Sequence, residues 1–207
     1  FCGKPLIRWT IDYTLECEKI HKIVVSSDNV NILSVSSVKN VYPLKRPNRL
    51  SSDESTTISV VLDLLKNKKF ANYDYVVLLQ PTSPLRTSNH IKQAIELLEL
   101  KKADGIISVS KSTEYPEHMN TLPKSLKMNK FIDKQTAFLR TQDLPTYYRL
   151  NGAICITRIS SLMKEKTFFL EKNLYAYIMP RKASIDIDDI DDFRYAEYLS
   201  KTSKNGI

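Results

Sequence analysis

The 207-residue chain has few of the residues that mark disulfide-rich, metal-bound or membrane-embedded proteins. Its three cysteines, Cys2, Cys17 and Cys155, are too few and too scattered for a disulfide framework or a zinc site. No apolar run reaches the roughly 18 residues that a membrane-spanning helix needs. No basic-then-apolar leader opens the chain. We therefore expect a cytoplasmic protein with reduced cysteines and no membrane partner.

Glycine is also scarce, and this limits how the chain could bind phosphate. Only four glycines occur, and neither the G-x-x-x-x-G-K-[ST] nor the G-x-G-x-x-G pattern is present. Glycine-rich loops serve phosphates because backbone without a Cβ can approach them closely. The chain opens at Phe1, without an initiator Met and without a strand before its first helical segment. We expect that a phosphate-binding segment precedes Phe1 in the full protein.

Nucleophile and zinc patterns are missing as well. No G-x-S-x-G or Cys/His arrangement indicates acyl transfer. The three histidines, His21, His90 and His118, are dispersed, which argues against a zinc centre.

The charge balance is basic, with 31 Lys and Arg against 23 Asp and Glu and a net charge of +8. Such a surplus favours an anionic partner, but a lysine-rich solvated surface explains it equally well. No dense basic block and no aromatic platform supports a nucleic-acid module, so we expect no nucleic-acid partner.

Apolar runs alternate with helical patterns along most of the chain. Strands are predicted at residues 22–27, 75–79, 104–110, 153–157 and 175–179. Helices are predicted at residues 5–15, 29–37, 58–65 with Asp53 as cap, 91–98, shortly after 157, and 190–199. This alternation predicts an α/β fold in which a mostly parallel sheet carries helices on both faces. We expect one domain over residues 1–207.

The regular pattern lapses at about residues 112–149, where Pro116, Pro123 and Pro145 occur among several aromatic residues. This stretch predicts an insertion, either a small flap or a dimerisation arm.

Residues 80–86 follow a predicted central strand, and open α/β sheets bind ligands at the carboxyl ends of their strands. Pro81 and Pro84 restrict the backbone, so the neighbouring side chains are presented rigidly. Gln80 can offer amide donors and an acceptor to sugar hydroxyls, and Arg86 can offer a forked cation to a carboxylate or phosphate. An ordinary strand-to-helix turn explains the segment equally well.

Residues 184–192 are rich in aspartate. In an extended stretch Asp186 and Asp188 share a face, and two adjacent carboxylates favour a hard cation such as Mg²⁺. The alternative is an acidic helix start stabilised by the helix dipole, and we expect it to apply to Asp189, Asp191 and Asp192.

Residues 140–153 contain Arg140 and Arg149, which could hold an acidic sugar, and Asn151-Gly152, which allows a tight turn into a strand. A solvated turn with charged flanks is the alternative.

Taken in order, these segments resemble the acylneuraminate cytidylyltransferase family, the CMP-sialic acid synthetases and their relatives for legionaminic and pseudaminic acid. The resemblance covers nearly the whole chain. Its segments are residues 3–11, 24–28, Arg46-Pro47 with Leu50, Asp53 and Thr56, then residues 77–86, 142–154 and 186–188.

The resemblance implies a Rossmann-like fold of the nucleotide-diphospho-sugar transferase type. It also implies transfer of CMP from CTP to the anomeric hydroxyl of a nonulosonic acid, a nine-carbon acid of the sialic type, with release of pyrophosphate. Asp186 and Asp188 would be the catalytic residues that bind Mg²⁺. The nucleotide would be bound by Asp28, Arg46, Thr56 and Thr57. The sugar would be bound by Gln80, Arg86, His118, Arg140 and Asn151.

Further implications concern assembly and product. The chain would form a homodimer through residues 112–149, and its CMP-sugar would supply synthesis of a lipopolysaccharide, capsule or flagellin glycan. Two alternatives remain: a related enzyme for another sugar or alcohol, including the eight-carbon acid Kdo, and a binding protein that has lost catalysis.

Overall fold

The structure of the protein, a computed structural model, describes residues 1–52, 54–70, 72–133, 135 and 139–204. Within these ranges it has six α-helices and six β-strands. The helices are α1 (Leu6–Leu15), α2 (Val30–Ser36), α3 (Thr57–Leu65), α4 (Ser88–Lys101), α5 (Ile159–Glu165) and α6 (Ile190–Lys204). The strands are β1 (Ile23–Ser27), β2 (Val41–Lys45), β3 (Tyr75–Leu78), β4 (Gly105–Lys111), β5 (Tyr148–Arg158) and β6 (Leu174–Ile178). In the described part of the chain, no helix combines the length and the apolar character that crossing a membrane requires.

The main sheet has four strands in the order β3-β5-β4-β6, and β1 pairs with β2 in a separate parallel pair. Strands β3, β4 and β6 run in one direction, which confirms the mostly parallel arrangement. Strand β5 runs the other way between β3 and β4. The segment between β4 and β5 causes this reversal. Because Lys111 at the end of β4 pairs with Tyr148 at the start of β5, the chain re-enters the sheet at the edge where it left, and β5 runs antiparallel to β4.

Helices cover both faces of this sheet, as predicted. On one face, Ile91, Ala94 and Leu98 of α4 are fully or almost fully buried in a cluster with Ile106 and Ile156. On the opposite face, α3 and α5 pack in a second cluster that also contains residues of β3. Because β3 contributes alternate side chains to the two clusters, it is sandwiched between helical layers.

Two local features differ from the sequence prediction. Strand β2 forms where the sequence predicted no strand, and Pro43 is tolerated there because, among the described residues, β2 pairs with β1 on one side and leaves its other side unpaired. Helix α3 is capped by Thr56, whose Oγ1 accepts from the Ser59 N–H at 3.3 Å. The predicted cap, Asp53, lies outside the described residues.

The described part of residues 112–147 contains short turns and no long helix or strand, as expected for an insertion. Its two ends meet, since the Ser112 N–H donates to the Tyr147 carbonyl at 2.9 Å. We call this segment the arm. It leaves and returns at the carboxyl end of β4.

Candidate active site

One edge of the main sheet collects most of the predicted site residues. The carboxyl ends of β3, β4 and β6 lie at this edge, and so does the amino end of the antiparallel β5. Gln80 follows β3, Asp186 follows the turn after β6, and Asn151 and Gly152 lie near the start of β5. These predicted site residues therefore lie where strands end, the place where open α/β sheets bind ligands.

Gly152 is the point at which two predicted ligands meet. Its backbone is left-handed, with φ of +66°, and a Cβ placed there would lie 2.5 Å from Gln80 Oε1 and 3.3 Å from Asp186 Oδ2. The missing side chain therefore leaves room for the Gln80 amide and the Asp186 carboxylate to face the same spot. We call these three residues the Gly152 cluster.

The Asp186 carboxylate has one oxygen without a donor in the described part of the chain. Its Oδ1 is buried and has no hydrogen-bond partner within the described residues. A buried carboxylate oxygen without a donor is costly, so a cation at this place would stabilise it. The segment itself is fixed by the Ile187 N–H, which donates to the Thr82 carbonyl at 2.9 Å.

These residues fit Mg²⁺ shared with a nucleotide better than an all-protein metal cage. No group of three or more His, Cys, Asp or Glu side chains able to hold a metal occurs in the described ranges. Mg²⁺ in nucleotide enzymes usually takes one or two carboxylates and completes its shell with phosphates and water. Asp186 can supply one carboxylate, and the exposed Asp188 two residues later can supply another.

The next aspartate has a structural task instead. Asp189 Oδ1 accepts from the Asp191 and Asp192 N–H groups at 2.8 and 2.9 Å, which caps the start of α6. The prediction of an acidic helix start is therefore confirmed for the later aspartates.

The structure corrects the role predicted for Arg86. Its side chain is 0% exposed, and its guanidinium donates to the Gln80 carbonyl at 3.2 Å, the Ala153 carbonyl at 2.6 Å and Thr10 Oγ1 at 2.8 Å. Burial lowers the pKa of Arg86 to about 10. A sugar cannot reach this guanidinium, because the protein encloses it completely. Arg86 instead ties α1, the Gln80 turn and β5 together behind the site.

Asn151 is corrected in the same way. It is 1% exposed, and its Oδ1 accepts from Ser108 Oγ at 2.5 Å and from the Ala153 N–H at 3.2 Å. Its Nδ2 donates to Ser184 Oγ at 2.9 Å. Its amide is therefore used inside the protein and does not face a ligand.

The residues predicted to bind the nucleotide lie at β1, β2 and α3. Arg46 follows β2, and its Nη2 donates to the Ser26 carbonyl at 2.8 Å. Asp28 is exposed just after β1, and Thr56 and Thr57 are exposed at the start of α3. No hydrogen bond within the described ranges joins these four residues to the Gly152 cluster.

Two predicted sugar ligands lie on the arm. Arg140 is 70% exposed, and its guanidinium donates to both carboxylate oxygens of Asp143, at 2.7 and 3.0 Å. His118 is half-buried, and its ring centroid lies 5.9 Å from that of Tyr115. No hydrogen bond among the described residues joins either residue to the Gly152 cluster.

Arg149 lies closer to the site than Arg140. Its Nη2 donates to the carbonyl of Ser184, two residues before Asp186, at 3.2 Å. Both arginines of this segment stood out in the sequence, but only the antiparallel course of β5 distinguishes them. Arg149 lies on β5 itself, whereas Arg140 precedes it in the arm.

A cavity of about 470 Å³ opens between the root of the arm and the turn after β6. Its lining residues are polar or basic: Lys111, Ser112, Thr113, Tyr115, Thr141 and Arg181. Neither Lys111 nor Arg181 has an ion-pair partner in the described part of the chain, so the cavity is positively charged and suits an acidic or hydroxyl-rich ligand.

Known proteins match both the sequence and the fold. A cytidylyltransferase family model matches residues 1–200. The chain is 34% identical to an N-acylneuraminate cytidylyltransferase of Streptococcus agalactiae serotype V, over 92% of this chain and 46% of the relative. It is 32% identical to a CMP-N,N'-diacetyllegionaminic acid synthase of Legionella pneumophila, over 99% of this chain and 89% of the relative.

The chain thus spans about half the length of the streptococcal relative. A solved structure of a CMP:2-keto-3-deoxy-manno-octonic acid synthetase complexed with CTP matches the fold with a TM-score of 0.64, at 10% identity. That match covers 98% of this chain and 89% of the other. With a family model that extends over residues 1–200 and a site at the carboxyl edge of the sheet, the chain belongs to the cytidylyltransferase family.

Proposed function

We propose that this chain forms the catalytic part of an enzyme that transfers CMP from CTP to the anomeric hydroxyl of a nonulosonic acid. The observation that carries the proposal is the meeting of Gln80 Oε1 and Asp186 Oδ2 over Gly152, with an unpartnered oxygen on the same carboxylate. This places an amide suited to a sugar hydroxyl beside a carboxylate that needs a cation. The streptococcal and Legionella relatives support a nine-carbon acid as acceptor.

The reaction is a single displacement at phosphorus. The anomeric oxygen attacks the α-phosphorus of CTP, the bond from that phosphorus to the pyrophosphate oxygen breaks, and the hydroxyl proton passes to solvent. Such transfers depend on positioning and charge neutralisation more than on covalent help from the protein. Mg²⁺ held by Asp186 and Asp188 would supply charge neutralisation at the phosphates.

The chain's own residues would position the two substrates. Gln80 would orient a sugar hydroxyl, and its turn is braced from behind by Arg86. Arg46, with Asp28 and the Thr56-Thr57 start of α3, would bind the nucleotide. The Arg46 guanidinium is anchored through Nη2 and Nε on Ser26, and its Nη1 has no partner in the described ranges, so it can donate to a ligand.

The sugar carboxylate is best matched by Arg149. In a nonulosonic acid the carboxylate and the reacting hydroxyl share one carbon, so the cation that binds the carboxylate must lie close to the reacting phosphate. The contact of Arg149 with the Ser184 carbonyl keeps it near Asp186. Arg140 lies on the arm with its charge matched by Asp143, so it suits this role less well.

The remainder of the sugar would extend into the cavity at the root of the arm. This cavity offers Lys111, Thr141 and Tyr115 to hydroxyl and acyl groups. His118 packs on Tyr115, so it lies next to the cavity lining. The CMP-sugar, made in the cytoplasm, would then be the donor for a surface glycan such as lipopolysaccharide, capsule or glycosylated flagellin.

Pyrophosphate release by the full-length protein tests this proposal. The assay would combine CTP and Mg²⁺ with N-acetylneuraminic, legionaminic or pseudaminic acid in turn, with Kdo as the eight-carbon comparison. We expect release with a nine-carbon acid and none without an acceptor. Release with Kdo alone would move the substrate to the eight-carbon acids, and silence with all four would refute the proposed reaction.

The arginine assignment has its own test. Replacing Arg149 by Ala should raise KM for the acid by roughly tenfold or more, in line with loss of a charge-assisted hydrogen bond of about 1.5–3 kcal/mol. Arg140→Ala serves as the matched control and should change this KM much less. A larger increase of this KM in Arg140→Ala than in Arg149→Ala would assign the binding of the sugar carboxylate to Arg140.

A further inference from the structure

Three buried side chains beneath the Gly152 cluster form a continuous hydrogen-bonded set, which we call the asparagine network. Asn151 is its centre, Ser108 of β4 lies on one side and Ser184 on the other. All three residues are at most 1% exposed.

Every donor in this network has an acceptor. Ser108 Oγ accepts from the Ile154 N–H at 2.8 Å and donates to Asn151 Oδ1 at 2.5 Å. Asn151 Nδ2 donates to Ser184 Oγ, which in turn donates to the Pro180 carbonyl at 2.9 Å. Each hydroxyl therefore donates once and accepts once, and this chain of bonds fixes which way the Asn151 amide points.

The network joins the part of β5 that contains Gly152 to the turn that carries Asp186. Asn151 and Ala153 flank Gly152, and the pairing of β4 with β5 shifts register at this place, between Ile107 and Val109. The Ala153 N–H is tied to Asn151 Oδ1 at 3.2 Å, so Asn151 fixes the backbone that presents Gly152. Its Nδ2 holds Ser184, the residue two positions before Asp186.

We propose that Asn151, acting with Ser108 and Ser184, is a positioning residue that sets the Asp186 carboxylate against Gln80 and Gly152. This inference rests on the proposed function for its catalytic meaning. The mechanical part stands on geometry alone: a single side-chain amide links β5 at Gly152 to the turn that carries Asp186. Among the described residues, the other hydrogen bonds that tie residues 184–188 to β5 or to the Gln80 turn are the Ile187–Thr82 backbone bond and the Arg149 contact.

The chain offers a closely matched control. Ser110 lies two residues after Ser108 on the same strand, is also 0% exposed, and its Oγ has no hydrogen-bond partner in the described part of the structure. The variants Ser108→Ala and Ser184→Ala remove network hydroxyls, whereas Ser110→Ala removes a buried hydroxyl of the same size outside the network.

Two measurements on the full-length protein separate positioning from simple stability. The first is hydrogen exchange of residues 184–188 in metal-free protein, which we expect to be faster in Ser184→Ala and Ser108→Ala than in Ser110→Ala or wild type. The second is the Mg²⁺ concentration for half-maximal pyrophosphate release. We expect it to rise about tenfold or more in the network variants, as for other residues that orient a metal ligand.

The outcomes are distinct. Unchanged exchange at residues 184–188 and an unchanged Mg²⁺ requirement, whatever the loss of thermal stability, would overturn the inference. If Ser184→Ala does not fold, Ser108→Ala against Ser110→Ala decides the question. If wild-type protein releases no pyrophosphate with any acid, the proposed function fails, and the exchange experiment still tests the positioning by itself.

Discussion

At the scale of single residues, Gly152 determines how closely the Gln80 amide and the Asp186 carboxylate can approach one another. A Cβ at this position would lie 2.5 Å from Gln80 Oε1, a distance that side chains do not tolerate. Its left-handed backbone adds a cost of about 1–2 kcal/mol for any residue with a Cβ. Glycine at this position therefore both permits the left-handed backbone and leaves room for the Gln80 amide.

We predict that Gly152→Ala displaces the Gln80 amide and reduces kcat/KM for the sugar by about a hundredfold, the effect of an approximately 1 Å misplacement. Steady-state kinetics of pyrophosphate release would measure this. Gly3 is a useful control, because it also has a positive φ, +77°, but an added Cβ would meet nothing within 4 Å. Thermal unfolding of Gly3→Ala gives the cost of left-handed backbone alone. Wild-type kinetics in Gly152→Ala would contradict the assignment of Gln80.

Asp188, the exposed carboxylate two residues after Asp186, gives a second residue-scale prediction. Asp188→Ala should fold normally and lose about a hundredfold or more in kcat, the size of a major electrostatic contribution to catalysis. Asp191→Ala is the comparison, since that side chain is 83% exposed and lies three residues away on the same acidic stretch. Equal activity in the two variants would refute a metal-binding role for Asp188.

Gln80 and Asp186 could be predicted from the sequence because both follow apolar strands, and strand ends converge at one edge of the sheet. Arg86 and Asn151 could not be placed, because a sequence does not tell whether a polar side chain points to a ligand or to the backbone behind it. Their burial became visible only with the antiparallel course of β5, which brings the Ala153 carbonyl to Arg86 and Ser108 to Asn151.

At the scale of elements, the start of α4 contains a histidine in an unusual capping role. The Thr87 N–H donates to His90 Nδ1 at 3.1 Å, so this nitrogen must stay unprotonated. Burial, and then the nearby Arg86 charge, lower the pKa of His90 from its ordinary 6.5. Below pH 6.5 the unfolded chain therefore binds a proton at His90 more readily than the folded chain does. The free energy of unfolding consequently decreases as the pH is lowered.

We predict that His90→Gln removes this part of the pH dependence, since glutamine can accept the same N–H in a capping box but does not titrate. Denaturant unfolding at pH 7.5 and pH 5.5 would compare the variant with wild type. The wild type should lose more stability than the variant on acidification, and His21→Gln, in an exposed loop, should behave like wild type. Identical losses in His90→Gln and wild type would refute the capping role.

Strand direction was the largest element-level feature that the sequence left open. The apolar run at residues 153–157 predicts a buried strand whichever way it runs, because buried strands look alike in either direction. The arm decides the direction, since Ser112 and Tyr147 close it at the carboxyl edge of β4. The position of β5 thus depends on an irregular segment whose folding is not encoded in any periodicity.

At the scale of the whole molecule, the arm exposes large apolar side chains. Met119, Leu122, Leu126 and Met128 are 54–70% exposed. Several exposed apolar side chains on one segment can form an interface, as the homodimer implied by the family resemblance would require.

Light scattering after size exclusion should give twice the monomer mass for the wild-type protein. The double change Leu122→Asp with Leu126→Asp should shift it towards monomer, because burying two carboxylates in an interface is unfavourable. Leu100→Asp is the control: Leu100 is 78% exposed but lies on α4, away from the arm. A wild-type monomer, or a dimer that only Leu100→Asp disrupts, would contradict an arm interface.

The central claim is that this molecule joins CMP to the anomeric oxygen of a nine-carbon acid. Mass spectrometry of the product formed from CTP and an acceptor that carries heavy oxygen at its anomeric hydroxyl tests this most directly. Our account predicts a CMP-sugar that retains the heavy oxygen in the bridge to phosphorus, together with unlabelled pyrophosphate. A label found in pyrophosphate, a CMP-sugar without the label, or hydrolysis of CTP without a CMP-sugar would contradict it.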